Sequence, residues 1–123
     1  MKKILIVEDD ELLGQLYFDL LKAEKNFSVS LIIDGESAYN KIVSENWDLI
    51  LLDTLLPKIN ALELLNKLKS KNPNKLKQKF VIITNLDDNQ LIASLKEYKF
   101  DILIKSHLNP AQFKQKVNQY VYS

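Results

Sequence analysis

Five residues with chemically useful side chains stand at the ends of four apolar runs. ILIV leads into Glu8 and Asp9, LILL into Asp53, FVII into Thr84 and DILI into Lys105. Acids brought together repel one another, so at neutral pH such a cluster must take up protons or bind a cation. An all-oxygen donor set suits a hard divalent ion such as magnesium. An aspartate carboxylate beside that ion can attack a phosphoryl donor and become an aspartyl phosphate. A hydroxyl and an ammonium then supply the charge stabilisation on which phosphoryl transfer depends.

Taken singly, each residue has a plainer reading. Glu8, Asp9 and Asp10 suit the N-terminus of a following helix, Thr84 is an ordinary β-branched strand residue, and Lys105 is a lysine leaving a strand. Asp53 is harder to explain away. It interrupts LILLDTLLP, where flanking leucines imply burial and an unpaired carboxylate would be costly. The joint placement carries the argument.

The elements that must position these residues alternate along the chain. Lys3 to Val7, Ser28 to Ile33, Asp48 to Leu52, Phe80 to Thr84 and Ile102 to Lys105 read as strands, the first a continuous apolar run of the kind buried on both faces. Leu12, Leu13, Leu16, Tyr17, Leu20 and Leu21 form one helical stripe. Ala38, Ile42 and Val43 mark a second helix with Asp34 as its cap. Asn60 before ALELLNKLK, with Glu63 three residues on, resembles a capping box. Asp87 or Asp88 can cap a fourth helix carrying Leu91, Ile92 and Leu95. Asn109 before Pro110 starts a fifth, with Phe113, Val117, Tyr120 and Val121 on its inner face.

Five strands alternating with five helices predict a doubly wound, three-layer α/β sandwich around a parallel sheet. The flavodoxin-like strand order 2-1-3-4-5 would bring Asp9 and Asp53 together at the topological switch point, where open α/β sheets bind ligands.

The 123 residues fit one domain over 1–123. A hydrophobic content of 46% with 27% charged residues is ordinary for a soluble protein, and no apolar run approaches the roughly 20 residues of a membrane span. Without cysteine there is neither disulfide nor thiolate chemistry. With no secretory signal after Met1, the expected location is cytoplasmic. The 17 cations, all lysine, against 16 acids leave a formal charge of +1, which argues against nucleic-acid binding. Lysines at 67, 69, 71, 75, 77 and 79 form one acid-free stretch, read as a solvated helix end and loop. His107, the one histidine, reads as a surface residue.

The motifs KILIVEDD, LILLDTLLP, VIIT and DILIK resemble the acidic pair, phosphoacceptor stretch, switch hydroxyl and lysine strand of the receiver domains of two-component response regulators, chemotaxis-regulator-like in form. The resemblance covers the whole chain. It implies that Asp53 accepts a phosphoryl group from a sensor histidine kinase or phosphotransfer protein. Mg2+ would be held by Asp9, Asp53 and the backbone carbonyl of Leu55, with Glu8 acting through water. Thr84 and Lys105 would bind phosphoryl oxygens. A surface on the fourth helix, fifth strand and fifth helix would engage a downstream protein or output domain, in a monomer or weak dimer. Activity beyond self-phosphorylation and self-dephosphorylation is not implied.

The chain departs from the family pattern around the same site. Ser106 replaces the usual proline after the lysine, which predicts a trans peptide with a displaced loop or a strained cis one. Ala61 stands where glycine is usual, so the loop after Asp53 is expected to differ. Asn85 replaces a small residue and is expected to narrow the entrance. Ile102 occupies the aromatic switch position. The alternative to a working phosphoacceptor is therefore a degenerate receiver that binds partners without phosphorylation. A phosphohydrolase of the aspartate-nucleophile type would want a second acid at Leu55, and a nucleotide-binding domain would want a glycine-rich loop after the first strand.

Overall fold

A computed structural model describes residues 1–85 and 88–123. The strands β1 (Lys2–Val7), β2 (Phe27–Ile32), β3 (Leu49–Asp53), β4 (Phe80–Thr84) and β5 (Asp101–Ile104) alternate with the helices α1 (Glu11–Lys22), α2 (Gly35–Ser44), α3 (Ala61–Lys71), α4 (Asn89–Lys96) and α5 (Pro110–Val121). The strands form one sheet of order β2-β1-β3-β4-β5, every pairing parallel. This is the predicted three-layer sandwich and strand order.

Alternate residues of the central strands feed two cores, as the two-residue period of a strand requires. Leu5, Val7, Ile50, Leu52 and Ile82 meet α2, α3 and α4 through Ile42, Leu64, Leu68 and Leu95. Ile4, Ile6, Leu49, Leu51 and Ile83 meet α1 and α5 through Leu21, Phe113 and Val117. Burial on both faces explains why β1, β3 and β4 read as unbroken apolar runs.

Each helix begins at an Asp or Asn whose side chain accepts an N–H of the first turn, satisfying one of the donors a helix start leaves orphaned. The caps are Asp10, Asp34, Asn60, Asp88 and Asn109. Asn60 and Asn109 form full capping boxes with Glu63 and Gln112. Of the two acids proposed as caps for α4, Asp88 takes the role, bonding Leu91 N–H at 3.0 Å; Asp87 lies outside the described residues.

The structure corrects the α1 stripe. Leu12 is 86% and Leu16 43% exposed, whereas Gly14, Tyr17 and Leu21 are buried. A Cβ on Gly14 would lie 3.3 Å from the Leu31 side chain and 3.6 Å from the Glu8 side chain. The helix thus approaches the sheet along its glycine, rotating Leu12 and Leu16 outward. Tyr17 stacks on Phe113 with ring centroids 4.1 Å apart, a contact that ties α1 to α5.

The basic stretch is more ordered than a solvated loop. Pro73–Lys77 forms a 3-10 turn. Lys67 stands 4.1 Å over the Tyr39 ring, Lys75 Nζ donates to Asn46 Oδ1 at 3.0 Å, and Lys79 Nζ donates to the Tyr120 carbonyl at 3.0 Å. Just before β3, the buried Trp47 donates its indole N–H to the Lys41 carbonyl at 3.2 Å. Among the described residues, no helix is long and apolar enough to cross a membrane.

Candidate functional site

Parallel pairing places the carboxyl ends of the strands at one edge of the sheet. Val7 pairs with Leu52, so Glu8 and Asp53 emerge side by side; Asp53 pairs with Ile83 and Thr84 with Ile104, bringing Thr84 and Lys105 to the same edge. Glu8, Asp53 and Thr84 are buried and Asp9 is exposed. One carboxylate oxygen from each of Glu8, Asp9 and Asp53 lies within 4.8 Å of the others. These oxygen donors fit a hard divalent cation.

Lys105 reaches into this group. Its Nζ lies 2.6 Å from Glu8 Oε1 and 3.1 Å from Asp53 Oδ1. The Glu8 contact is an ion pair without aligned hydrogen-bond geometry, while Glu8 Oε2 accepts the Asp10 N–H at 3.2 Å. Burial pushes the Asp53 carboxyl up to about 7, Glu8 adds to the rise, and Lys105 opposes it. For Lys105, burial disfavours the ammonium, but the Glu8 and Asp53 carboxylates prevail and hold it above its ordinary value. Burial raises the Tyr17 phenol to about 12; Lys105 opposes this, and Glu8, Asp53 and Asp10 reinforce it.

Of the five residues at the strand ends, Glu8, Asp53 and Lys105 are in direct contact, Asp9 completes the carboxylate trio, and Thr84 joins through a residue that the reading of the sequence missed. Thr54 is buried, and its hydroxyl oxygen lies 3.1 Å from that of Thr84. Its own N–H donates to Asp53 Oδ1 at 2.8 Å. The signal was available: Thr54 is the second polar residue inside LILLDTLLP, and the reasoning that buried Asp53 buries its neighbour too.

The loop after Asp53 is held from two sides. The Thr54 carbonyl accepts the Ala61 N–H at 3.2 Å, and Gly35 N–H donates to the Pro57 carbonyl at 3.2 Å. The positive-φ turn that glycine would favour does not fall at Ala61. Ala61 is the first residue of α3, and Lys58 is the loop residue with positive φ, at 69°. Leu55 is exposed and, with Asp9, Pro57 and Lys58, lines an open depression of about 470 Å³. A larger depression of about 550 Å³ at the opposite edge, among Lys77, Lys79 and Lys99, has Asp101 as the one acidic side chain of its lining, so the donors rather than the volume locate the site.

No cis peptide occurs among the described residues, so Lys105–Ser106 is trans, and the chain turns at once into a single 3-10 turn over Lys105–His107. Lys105 opens that turn instead of ending β5. Ser106 and His107 are exposed. Asn85 is exposed directly after Thr84. Ile102 is half-buried against the core shared with α2, α3 and α4.

The chain matches the family model of the response regulator receiver domain over residues 4–118. It is 34% identical over 106 residues to a cyclic di-GMP phosphodiesterase of Thermotoga maritima, covering 86% of this chain and 27% of that protein. It is 33% identical over 105 residues to the response regulator ArlR of Staphylococcus saprophyticus, covering 85% of this chain and 46% of that protein. The chain thus spans about a quarter to a half of the length of these relatives. In fold it is similar to a CheY-like receiver domain from Methanospirillum hungatei, with a TM-score of 0.82 at 24% identity over 98% of this chain and 94% of that one. It is also similar to the N-terminal domain of an uncharacterized protein from Wolinella succinogenes, with a TM-score of 0.84 at 22% identity over 99% of this chain and 95% of that one. With motifs, strand order and the family match in agreement, the chain belongs to the response regulator receiver domains.

Proposed function

We propose that this receiver domain is a working phosphoacceptor of a two-component signalling system, with Asp53 as the phosphorylated residue. The observation that carries the reading is Lys105 in contact with both Glu8 and Asp53 beside a trio of clustered carboxylates. An Asp53 oxygen attacks phosphorus, the P–N bond of a phosphohistidine donor breaks, and the leaving imidazole keeps the electron pair. Asp9, Asp53 and the Leu55 carbonyl would hold magnesium, with Glu8 acting through water. Bound there, the ion would offset the charge of the phosphoryl oxygens.

The remaining chemistry belongs to the chain. Lys105 leaves its carboxylate partners to pair with one phosphoryl oxygen, and Thr84 donates its hydroxyl proton to another. Their preference for the phosphorylated state supplies the free energy that shifts the partner surface of α4, β5 and α5. The donor is a sensor histidine kinase or phosphotransfer protein, and the location is cytoplasmic. Magnesium-dependent incorporation from a small phosphodonor, with Asp53→Asn as control, tests the reading. Modification is expected in the wild type and lost in the variant; its absence from the wild type returns the chain to a phosphorylation-independent binding module.

A further inference from the structure

Thr54 links three parts of the site through three different groups. Its N–H donates to Asp53 Oδ1 at 2.8 Å, its carbonyl accepts the first N–H of α3 from Ala61 at 3.2 Å, and its hydroxyl oxygen lies 3.1 Å from that of Thr84. Both hydroxyls are buried, where water cannot replace a lost partner and an unmatched polar group is costly. The backbone of Thr54 is thus fixed at both ends, and its hydroxyl is presented to Thr84 from a rigid base.

A hydroxyl has one proton to donate and two lone pairs to accept with. When Thr84 donates that proton to an anionic oxygen on Asp53, it has none left for Thr54. The hydrogen bond between the two hydroxyls then runs from Thr54 as donor to Thr84 as acceptor. Such a chain also polarises Thr84, because accepting a hydrogen bond strengthens a hydroxyl as a donor.

We propose that Thr54 is a positioning residue for Thr84: its hydroxyl stands behind that of Thr84 as a donor and directs the Thr84 proton towards the anion formed on Asp53. This rests on the reading of Asp53 as the phosphoacceptor. The order of donation is Thr54 to Thr84 to phosphoryl oxygen, with no covalent change at either threonine. Thr54 itself need not touch the phosphoryl group.

The test compares wild type, Thr54→Val, Thr54→Ser, Thr84→Val and the Thr54→Val/Thr84→Val double variant in binding beryllofluoride, a tetrahedral phosphoryl mimic, with magnesium. Thr54→Val, which keeps the volume and loses the hydroxyl, should bind about fivefold more weakly. Thr54→Ser should restore binding, and the double variant should be no weaker than Thr84→Val alone, since the two hydroxyls act as one unit. In metal-free protein, side-chain couplings of Thr84 should report a different rotamer distribution in Thr54→Val than in wild type. Thr54→Cys, a weaker donor of similar size, should fall between wild type and Thr54→Val and provides a second test if the valine variant fails to fold. Undiminished binding by Thr54→Val, or additive losses in the double variant, overturns the role of Thr54 while leaving Asp53 as phosphoacceptor. Wild type that ignores beryllofluoride overturns the phosphoacceptor reading, and this proposal with it.

Discussion

Glu8 and Lys105 meet as a 2.6 Å ion pair from the ends of β1 and β5, with the glutamate side chain fully buried and the lysine nearly so. The pair neutralises one acid of the trio in the resting protein. Breaking a buried pair from one side is far worse than replacing both partners, because a lone buried charge remains.

Lys105→Met should therefore lower the free energy of unfolding by about 3 kcal/mol without magnesium, and Glu8→Gln combined with Lys105→Met should recover much of the loss. Urea denaturation measures both. The single variant should also gain more from added magnesium than wild type does, since it has lost its resident cation. Equal magnesium effects on the two proteins would contradict this account of the pair.

The raised Asp53 carboxyl makes folding sensitive to pH in a defined direction. Between its ordinary value of 3.8 and about 7, the folded protein keeps a proton that the unfolded chain has released. The stability gained from that proton is complete at the acid end of the window and is lost as pH rises through about 7. Asp53→Asn, neutral throughout, should therefore gain stability relative to wild type from about pH 4 to about pH 7 and level off above it. A constant difference across that range would argue against a raised Asp53.

The same proton opposes a cation. Apparent magnesium affinity should climb as pH rises through about 7 and level off above it, with protons released on binding below that point. Calorimetry in two buffers of different ionisation enthalpy reads the release directly. Proton-free binding at about pH 6 would contradict the prediction.

Gly35 holds the loop that carries Leu55. A Cβ there would fall 2.0 Å from the Ile59 carbonyl oxygen, a clash with backbone that no rotamer relieves. Gly35→Ala should destabilise the protein by about 2 kcal/mol and weaken magnesium binding by shifting the loop. Thermal denaturation with and without the ion separates the two effects, and an alanine variant with unchanged affinity would show that the loop moves independently of the metal donors.

Asn85 stands exposed directly after Thr84, the position expected to narrow the entrance for a phosphodonor. Asn85→Ala should accelerate both labelling by a small phosphodonor and loss of the label by several-fold. Time courses with the Asp53→Asn control measure both, and equal rates in wild type and variant would remove Asn85 from the entrance.

Much of this architecture was legible because local and long-range signals agree. Unbroken apolar runs mark strands buried on both faces, Asn60 and Asn109 announce their helices by capping chemistry, and Asp53 declares its burial through its leucine neighbours. The α1 stripe differs from its expected set because periodicity identifies a helical face without choosing which edge of it turns inward. Gly14 chooses, by permitting a closer approach than any leucine allows. The pairing of Lys105 with Glu8 is not legible in sequence, because it depends on β1 and β5 meeting across β3 and β4. The burial of Thr54 follows from the same leucine neighbours, but its pairing with Thr84 is not legible: that partner lies thirty residues away, and hydroxyl pairs leave no mark in composition.

Trp47, pinned by the Lys41 carbonyl ahead of β3, is the sole indole of the chain and sits beyond the far end of that strand, six residues and at most about 20 Å from the carboxylate at the other end. Its emission should report the scaffold and respond little to events at the far rim. Denaturation can thus be followed optically while the pocket is loaded or emptied, and a fluorophore meant to sense occupancy must be installed elsewhere.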